Sequence, residues 1–167
     1  MLSFIILSGK PAVAEDTNFK ALGLRVGISN FGERDFKTFE GFVIFGLPWS
    51  RQPFSDWVIS PRWDLAGGII RQDEDSELLV TFGPSIALSK TGWSVTVDGG
   101  VGLAFLSDDK IGDQDFGAPL QFTAHGGISF KIGSNTTLGY RFHHMSDMGF
   151  FDGDGLNRHL IELSLQF

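Results

Sequence analysis

The sequence predicts an all-β protein, an eight-stranded antiparallel transmembrane β-barrel, on three observations. Eight segments, divided by charged or Gly-rich breaks, alternate apolar and polar residues with a period of two, which sorts the side chains of each onto two faces of a strand. The segments run to about 9 to 15 residues, beyond the usual five or six and long enough to cross a hydrocarbon layer at a tilt. Their number is even, and aromatic residues recur near segment ends at Trp57, Trp63, Trp93 and Phe105, the pattern of an interfacial girdle. A soluble sandwich shows the same alternation with its apolar set turned inward. Length, even number and aromatic placement favour the inverted arrangement.

At the N-terminus, Met1 to Leu7 is apolar and Ala12-Val13-Ala14 has the small-x-small form of a signal-peptidase site. Residues 1–14 therefore read as the remnant of an export signal and residues 15–167 as a single barrel domain. The predicted strands follow in order: Phe19 to Ser29, Phe39 to Leu47, Trp57 to Ile69, Leu78 to Leu88, Trp93 to Phe105, Phe116 to Phe130, Thr136 to Ser146 and Asn157 to Phe167. The last has the clearest pattern, with Ile161, Leu163, Leu165 and Phe167 on one face and Glu162, Ser164 and Gln166 on the other. In the fourth, Leu78, Val80, Phe82, Ile86 and Leu88 oppose Thr81, Gly83, Ser85 and Ala87. In the fifth, Val95, Val97, Val101 and Leu103 oppose Thr96, Asp98, Gly100 and Gly102.

The polar faces carry Arg25, Glu40, Arg62, Asp64, Asp98, Gln121, His125, Arg141, His143 and Glu162, a set suited to a narrow interior of paired polar groups. Short links at Ser89–Gly92 and Lys131–Asn135 alternate with longer acidic ones at Asn30–Thr38, Arg71–Glu77, Ser107–Asp115 and Asp147–Leu156. The longer set is expected outside the cell. The exception is 48–56, long for a periplasmic turn.

Composition excludes several classes of function. A net charge of −7 with no basic stripe argues against a nucleic-acid surface. The chain has no cysteine, so thiolate catalysis, disulfides and Cys-based metal sites are ruled out. The acidic stretch at Asp108, Asp109, Asp113 and Asp115 lacks the regular calcium-loop pattern and reads as a solvated loop. No metal or organic cofactor is called for.

Chemistry concentrates in Leu138–Phe151, LGYRFHHMSDMGFF. Parity places Leu138, Tyr140, Phe142, His144 and Ser146 on the outer set, with Arg141 and His143 inward. His144 and Ser146 thus share an exterior face just before a loop. A serine needs an adjacent base to become a nucleophile, and histidine titrates in the right range. From the spacing alone two readings stand: a base with its nucleophile, or two interfacial residues bonding lipid headgroups. His159 also lies outward, near Asn157, and either packs at the interface, contacts a lipid phosphate or joins the site.

The mature length resembles the outer-membrane lipid A 3-O-deacylases, the PagL family of acyloxyacyl-hydrolase-like barrels. The motifs that carry it are GAPLQF at Gly117–Phe122, LGYRFHHMSDMG at Leu138–Gly149 and GLN at Gly155–Asn157. The resemblance implies an outer-membrane enzyme that acts on lipopolysaccharide among outer-membrane lipids. His144 would be the general base and Ser146 the nucleophile that removes the ester-linked 3-hydroxyacyl chain at position 3 of lipid A.

Two positions depart from that pattern. Asp147 stands where the family carries an asparagine able to donate to an oxyanion, and Asn157 stands where a carboxylate orients the histidine. Asn157 can still hold the imidazole by accepting its N–H, and Asp152 or Asp154 lies in a loop able to reach back. Backbone N–H groups from Asp147 to Gly149 are the candidate oxyanion donors. The alternative function is a catalytically weak or inactive outer-membrane barrel that binds lipopolysaccharide or has a structural role.

Overall fold

The structure, a computed structural model, describes residues 19–31, 34–48, 51–54, 56–150 and 153–167; the proposed leader 1–14 and Asp152 lie outside them. Among the described residues eleven strands follow in chain order: β1 Phe19–Phe31, β2 Arg34–Gly46, β3 Arg51–Phe54, β4 Trp57–Gln72, β5 Asp75–Lys90, β6 Val95–Leu106, β7 Lys110–Ile111, β8 Gln114–Asp115, β9 Leu120–Lys131, β10 Thr136–Ser146 and β11 Leu156–Gln166. Eight of them, each 11 to 16 residues long, form one antiparallel sheet in the order β2-β1-β11-β10-β9-β6-β5-β4, and β2 pairs with β4 to close it. Closure satisfies every strand edge within the sheet, which a lipid-exposed sheet requires.

The alternation is inverted relative to a soluble protein. Leu24, Val26, Ile69, Ile86, Val97, Ile161 and Leu163 point outward, and Val101 is 61% exposed. The arginines and carboxylates point in. This is a barrel that spans a membrane with an apolar belt and a filled polar interior. Arg25 pairs with Glu162 at 2.7 Å and Arg141 with the same carboxylate at 2.7 Å. Arg141 also reaches Asp98 at 3.2 Å and Asp64 at 3.4 Å. Arg158, fully buried and absent from the expected interior set, pairs with Glu40 and donates from Nη2 to His143 Nδ1 at 2.9 Å. Arginine cannot accept, so His143 carries its proton on Nε2. The inward His143 has Arg158 as its hydrogen-bond partner and a stacked His125 ring at 6.2 Å.

Four expectations are corrected. The stretches Asn30–Thr38 and Arg71–Glu77 are not long loops: β1 and β2 pair up to Phe31 and Arg34, and β4 and β5 up to Gln72 and Asp75. Strands that rise clear of lipid are wetted on their outer face and lose the alternation that marks them. The long stretch 48–56 contains β3, which folds back along β4. The acidic loop forms the β7–β8 hairpin. Phe116 is not a strand residue on the outer face but is 0% exposed, packed at 6.3 Å on Phe36. With Ile70, Leu79, Leu106, Ile111, Met145 and Leu156 it forms an apolar plug that closes the end of the lumen bearing the β10–β11 loop.

The opposite end gathers aromatics. Trp57 and Trp93 pack at 6.2 Å with Lys90 Nζ over both rings. Phe19 contacts Phe45 and Phe167 at 6.0 and 4.9 Å. Such rings and basic tips suit a headgroup boundary.

Candidate active site

His144 and Ser146 stand on the outward side of β10 and are half-buried. Across the ladder His144 pairs with Asn157 of β11 on one side and Ala124 of β9 on the other, while Ser146 pairs with Phe122. Register therefore brings Asn157 level with the imidazole, and His144 Nδ1 lies 2.7 Å from Asn157 Oδ1. With the amide oxygen accepting, Nδ1 carries the proton and the Nε2 lone pair is left outward. Gly155 closes the site from above: a Cβ there would lie 3.4 Å from His144 Cε1 and 3.6 Å from Ser146 Cβ.

The parity that turns Ser146 out turns Asp147 in. Its side chain is 3% exposed at the top of the lumen, away from the serine hydroxyl. Oδ1 accepts the Gly149 N–H at 2.7 Å, Oδ2 accepts the Gly153 N–H at 2.9 Å, and the Asp147 carbonyl accepts the Phe150 N–H at 3.2 Å. The chain thus turns tightly straight after the serine. Met148 and Gly149 both have positive φ, 56° and 78°. For a methionine that conformation costs about 1–2 kcal/mol, which the two carboxylate bonds offset. The turn pushes Met148 and Phe150 outward, 66% and 69% exposed, and Phe150 meets Phe122 at 6.1 Å. An apolar lip therefore borders the serine on its β9 side.

Of the other expected site residues, Gly149 is in the turn with its N–H committed to Asp147. Asp154 is exposed and its N–H donates to Asp115 O at 2.9 Å, tying the loop to the β7–β8 hairpin; Asn157 is the group on the imidazole. His159 lies outward on β11, with Nδ1 2.7 Å from Tyr140 Oη and its ring edge-on to Phe142 at 5.4 Å. That tyrosine was legible by parity as a neighbour but not as a partner. Among the described residues no cluster of three or more His, Cys, Asp or Glu side chains is arranged to hold a metal ion.

A family model described as lipid A 3-O-deacylase (PagL) matches residues 37–166. No curated protein sequence matches the chain. Among solved structures, the crystal structure of the outer membrane enzyme PagL superposes with a TM-score of 0.75 at 22% identity, over 88% of this chain and 99% of that one. A de novo designed transmembrane β-barrel gives 0.51 at 12% identity, over 92% and 99% of the two chains. Neisserial surface protein A gives 0.51 at 13% identity, over 89% and 96%.

Proposed function

Because the chain belongs to the lipid A 3-O-deacylase (PagL) family, we propose that it hydrolyses the ester joining a 3-hydroxyacyl chain to position 3 of lipid A, in the outer membrane, at the extracellular end of the barrel exterior. The observation that carries this reading is the exterior His144 held by Asn157, with Ser146 two residues on along the same face. His144 Nε2 takes the Ser146 hydroxyl proton as Oγ attacks the ester carbonyl carbon. The tetrahedral intermediate collapses when the sugar oxygen leaves with that proton from His144, and the acyl chain remains on Ser146. Water, deprotonated by the same imidazole, then attacks the acyl-serine and releases the hydroxy fatty acid.

Asp147, a buried acceptor, is not aimed at the developing oxyanion. The Met148 N–H, in the turn directly after the serine and without a partner among the described residues, is the donor this reading assigns. The exterior position lets a bulky amphiphile react from the outer leaflet without entering a filled lumen. The apolar lip of Phe122, Met148 and Phe150 supplies contact for its chains.

The test is mass spectrometry of lipid A incubated with the purified, detergent-folded protein. Loss of one hydroxyacyl group is expected, with the amide-linked chains intact. Ser146→Ala and His144→Ala are each expected to lower the rate at least a thousandfold while the barrel still shows heat-modifiable migration. Unchanged lipid A with the wild-type protein would move the assignment to a lipopolysaccharide-binding or structural barrel.

A further inference from the structure

The His159–Tyr140 pair is a polar group set into the lipid-facing surface directly below the site. On β11 the outward residues descend as Asn157, His159, Ile161, Leu163 and Leu165. On β10 they descend as His144, Phe142, Tyr140 and Leu138. His159 is thus the last polar side chain on its strand before an unbroken apolar run, one two-residue step below Asn157. That step is about 7 Å along the strand and less along the membrane normal, because barrel strands tilt.

Burying polar groups against hydrocarbon is costly unless their hydrogens find acceptors. Tyr140 Oη and His159 Nδ1 satisfy each other at 2.7 Å. Two donor hydrogens nevertheless meet one shared bond. If the phenol donates to Nδ1, Nε2 carries an outward N–H; if Nδ1 donates, the phenol hydrogen is left over. In either tautomer one donor has no acceptor among the described residues. The Phe142 ring edge-on to the imidazole fixes its plane, so the donor is held in place.

We infer that His159, positioned by Tyr140, donates a hydrogen bond to an oxygen substituent on the third carbon of the acyl chain, free hydroxyl or esterified, and so sets the preference for hydroxylated acyl chains. The inference rests on the ester-hydrolysis reading of the same face. An acyl chain that leaves Ser146 and descends past His144 into the bilayer passes between the Phe122 lip and the imidazole of His159. An oxygen near its carboxyl end is the polar atom it brings to that depth. A plain acyl chain leaves the donor unsatisfied in hydrocarbon, so discrimination follows from the cost of an unmade bond as much as from the bond itself.

The experiment compares two synthetic monosaccharide lipids that differ only in whether the position-3 acyl chain carries its 3-hydroxyl, with a third bearing that oxygen as an ester. Wild-type protein is expected to cleave both oxygenated lipids about tenfold faster than the plain one, the size of one ordinary hydrogen bond. In His159→Phe that ratio falls toward one. His159→Gln, which keeps an N–H, retains most of it, and Tyr140→Phe lowers it partway. A ratio near one in the wild type, or an undiminished ratio in His159→Phe, overturns the proposal. If only one oxygenated lipid is preferred, the free or the esterified form is identified as the ligand. The same three lipids are titrated against Ser146→Ala by isothermal titration calorimetry. If the wild type hydrolyses none of them, a His159-dependent binding preference upholds the subsite while the hydrolase reading fails, and no preference overturns the subsite too.

Discussion

Asp147 holds the serine loop through two backbone N–H groups that lie two and six residues ahead of it, and each of its oxygens is used. An asparagine at this position, as the family pattern carries, would keep one acceptor and set an N–H₂ group against a backbone donor. Asp147→Asn is therefore expected to loosen the turn by about 1–3 kcal/mol and lower kcat by about tenfold, with the barrel intact. Faster turnover would instead mean that the side chain swings out to the oxyanion. Asn157→Asp points the other way: in the proposed mechanism a carboxylate at this distance from Nδ1 would stabilise the imidazolium of each half-reaction, so a several-fold rise in kcat is expected in the same assay. The Asn157 contact was expected from the family resemblance, which puts the residue that orients the histidine at the start of the last strand. The role of Asp147 was not, because it depends on where the chain returns at Gly153.

Among the elements, the β7–β8 hairpin sits between the plug and the serine loop. Phe116 fills the lumen below, and its carbonyl lies against Gly153, where a Cβ would fall 2.1 Å from Phe116 O and 2.3 Å from Phe116 C. Gly153→Ala must separate the two loops and weaken the bond to Asp147. Deacylation is expected to fall at least tenfold with unchanged heat-modifiable migration, checked on the same lipid A assay. Asp115 holds the hairpin: the Gly117 N–H at 2.9 Å and then Lys110 Nζ at 3.0 Å keep its carboxyl below the usual range. Its contribution is present above the ordinary aspartate pKa and lost as pH falls through the lowered value, which amide exchange at Gly117 would report. At the far end, Phe167 packs on Phe19, ring centroids 4.9 Å apart and tilted, and its N–H donates to Lys20 O at 3.0 Å. Deleting Phe167 removes the ring that fastens the last strand to the first, and less folded protein is expected in outer-membrane fractions. The C-terminal strand was plain from its alternation. The hairpin was hidden because four aspartates mask the two apolar residues, Ile111 and Phe116, that anchor it.

At the scale of the barrel, four arginines among the described residues, Arg25, Arg62, Arg141 and Arg158, face four carboxylates, Glu40, Asp64, Asp98 and Glu162, in the lumen. Arg141→Met leaves Asp64, Asp98 and Glu162 short of a partner and is expected to cost about 3–5 kcal/mol in urea unfolding from lipid vesicles. The inward position of most of these groups followed from parity alone. Their pairing did not, since Arg158 with Glu40 and Arg141 with Asp64 join strands that are not neighbours, and only the circumference of the closed sheet determines which ones meet across the lumen.

That cross-lumen pairing bears on how the protein enters its membrane. β2 carries Glu40 and β11 its partner Arg158, and β4 carries Asp64 and β10 its partner Arg141, so a sheet inserted only as far as its middle strands would carry unmatched ions into hydrocarbon. Arg25 finds Glu40 and Glu162 on neighbouring strands, but the full set of partners, Arg158 with Glu40 and Arg141 with Asp64 among them, belongs to the closed ring. A sheet that lacks its last strands leaves some of these ions unmatched, so the interior charges favour the complete ring over a partly assembled one.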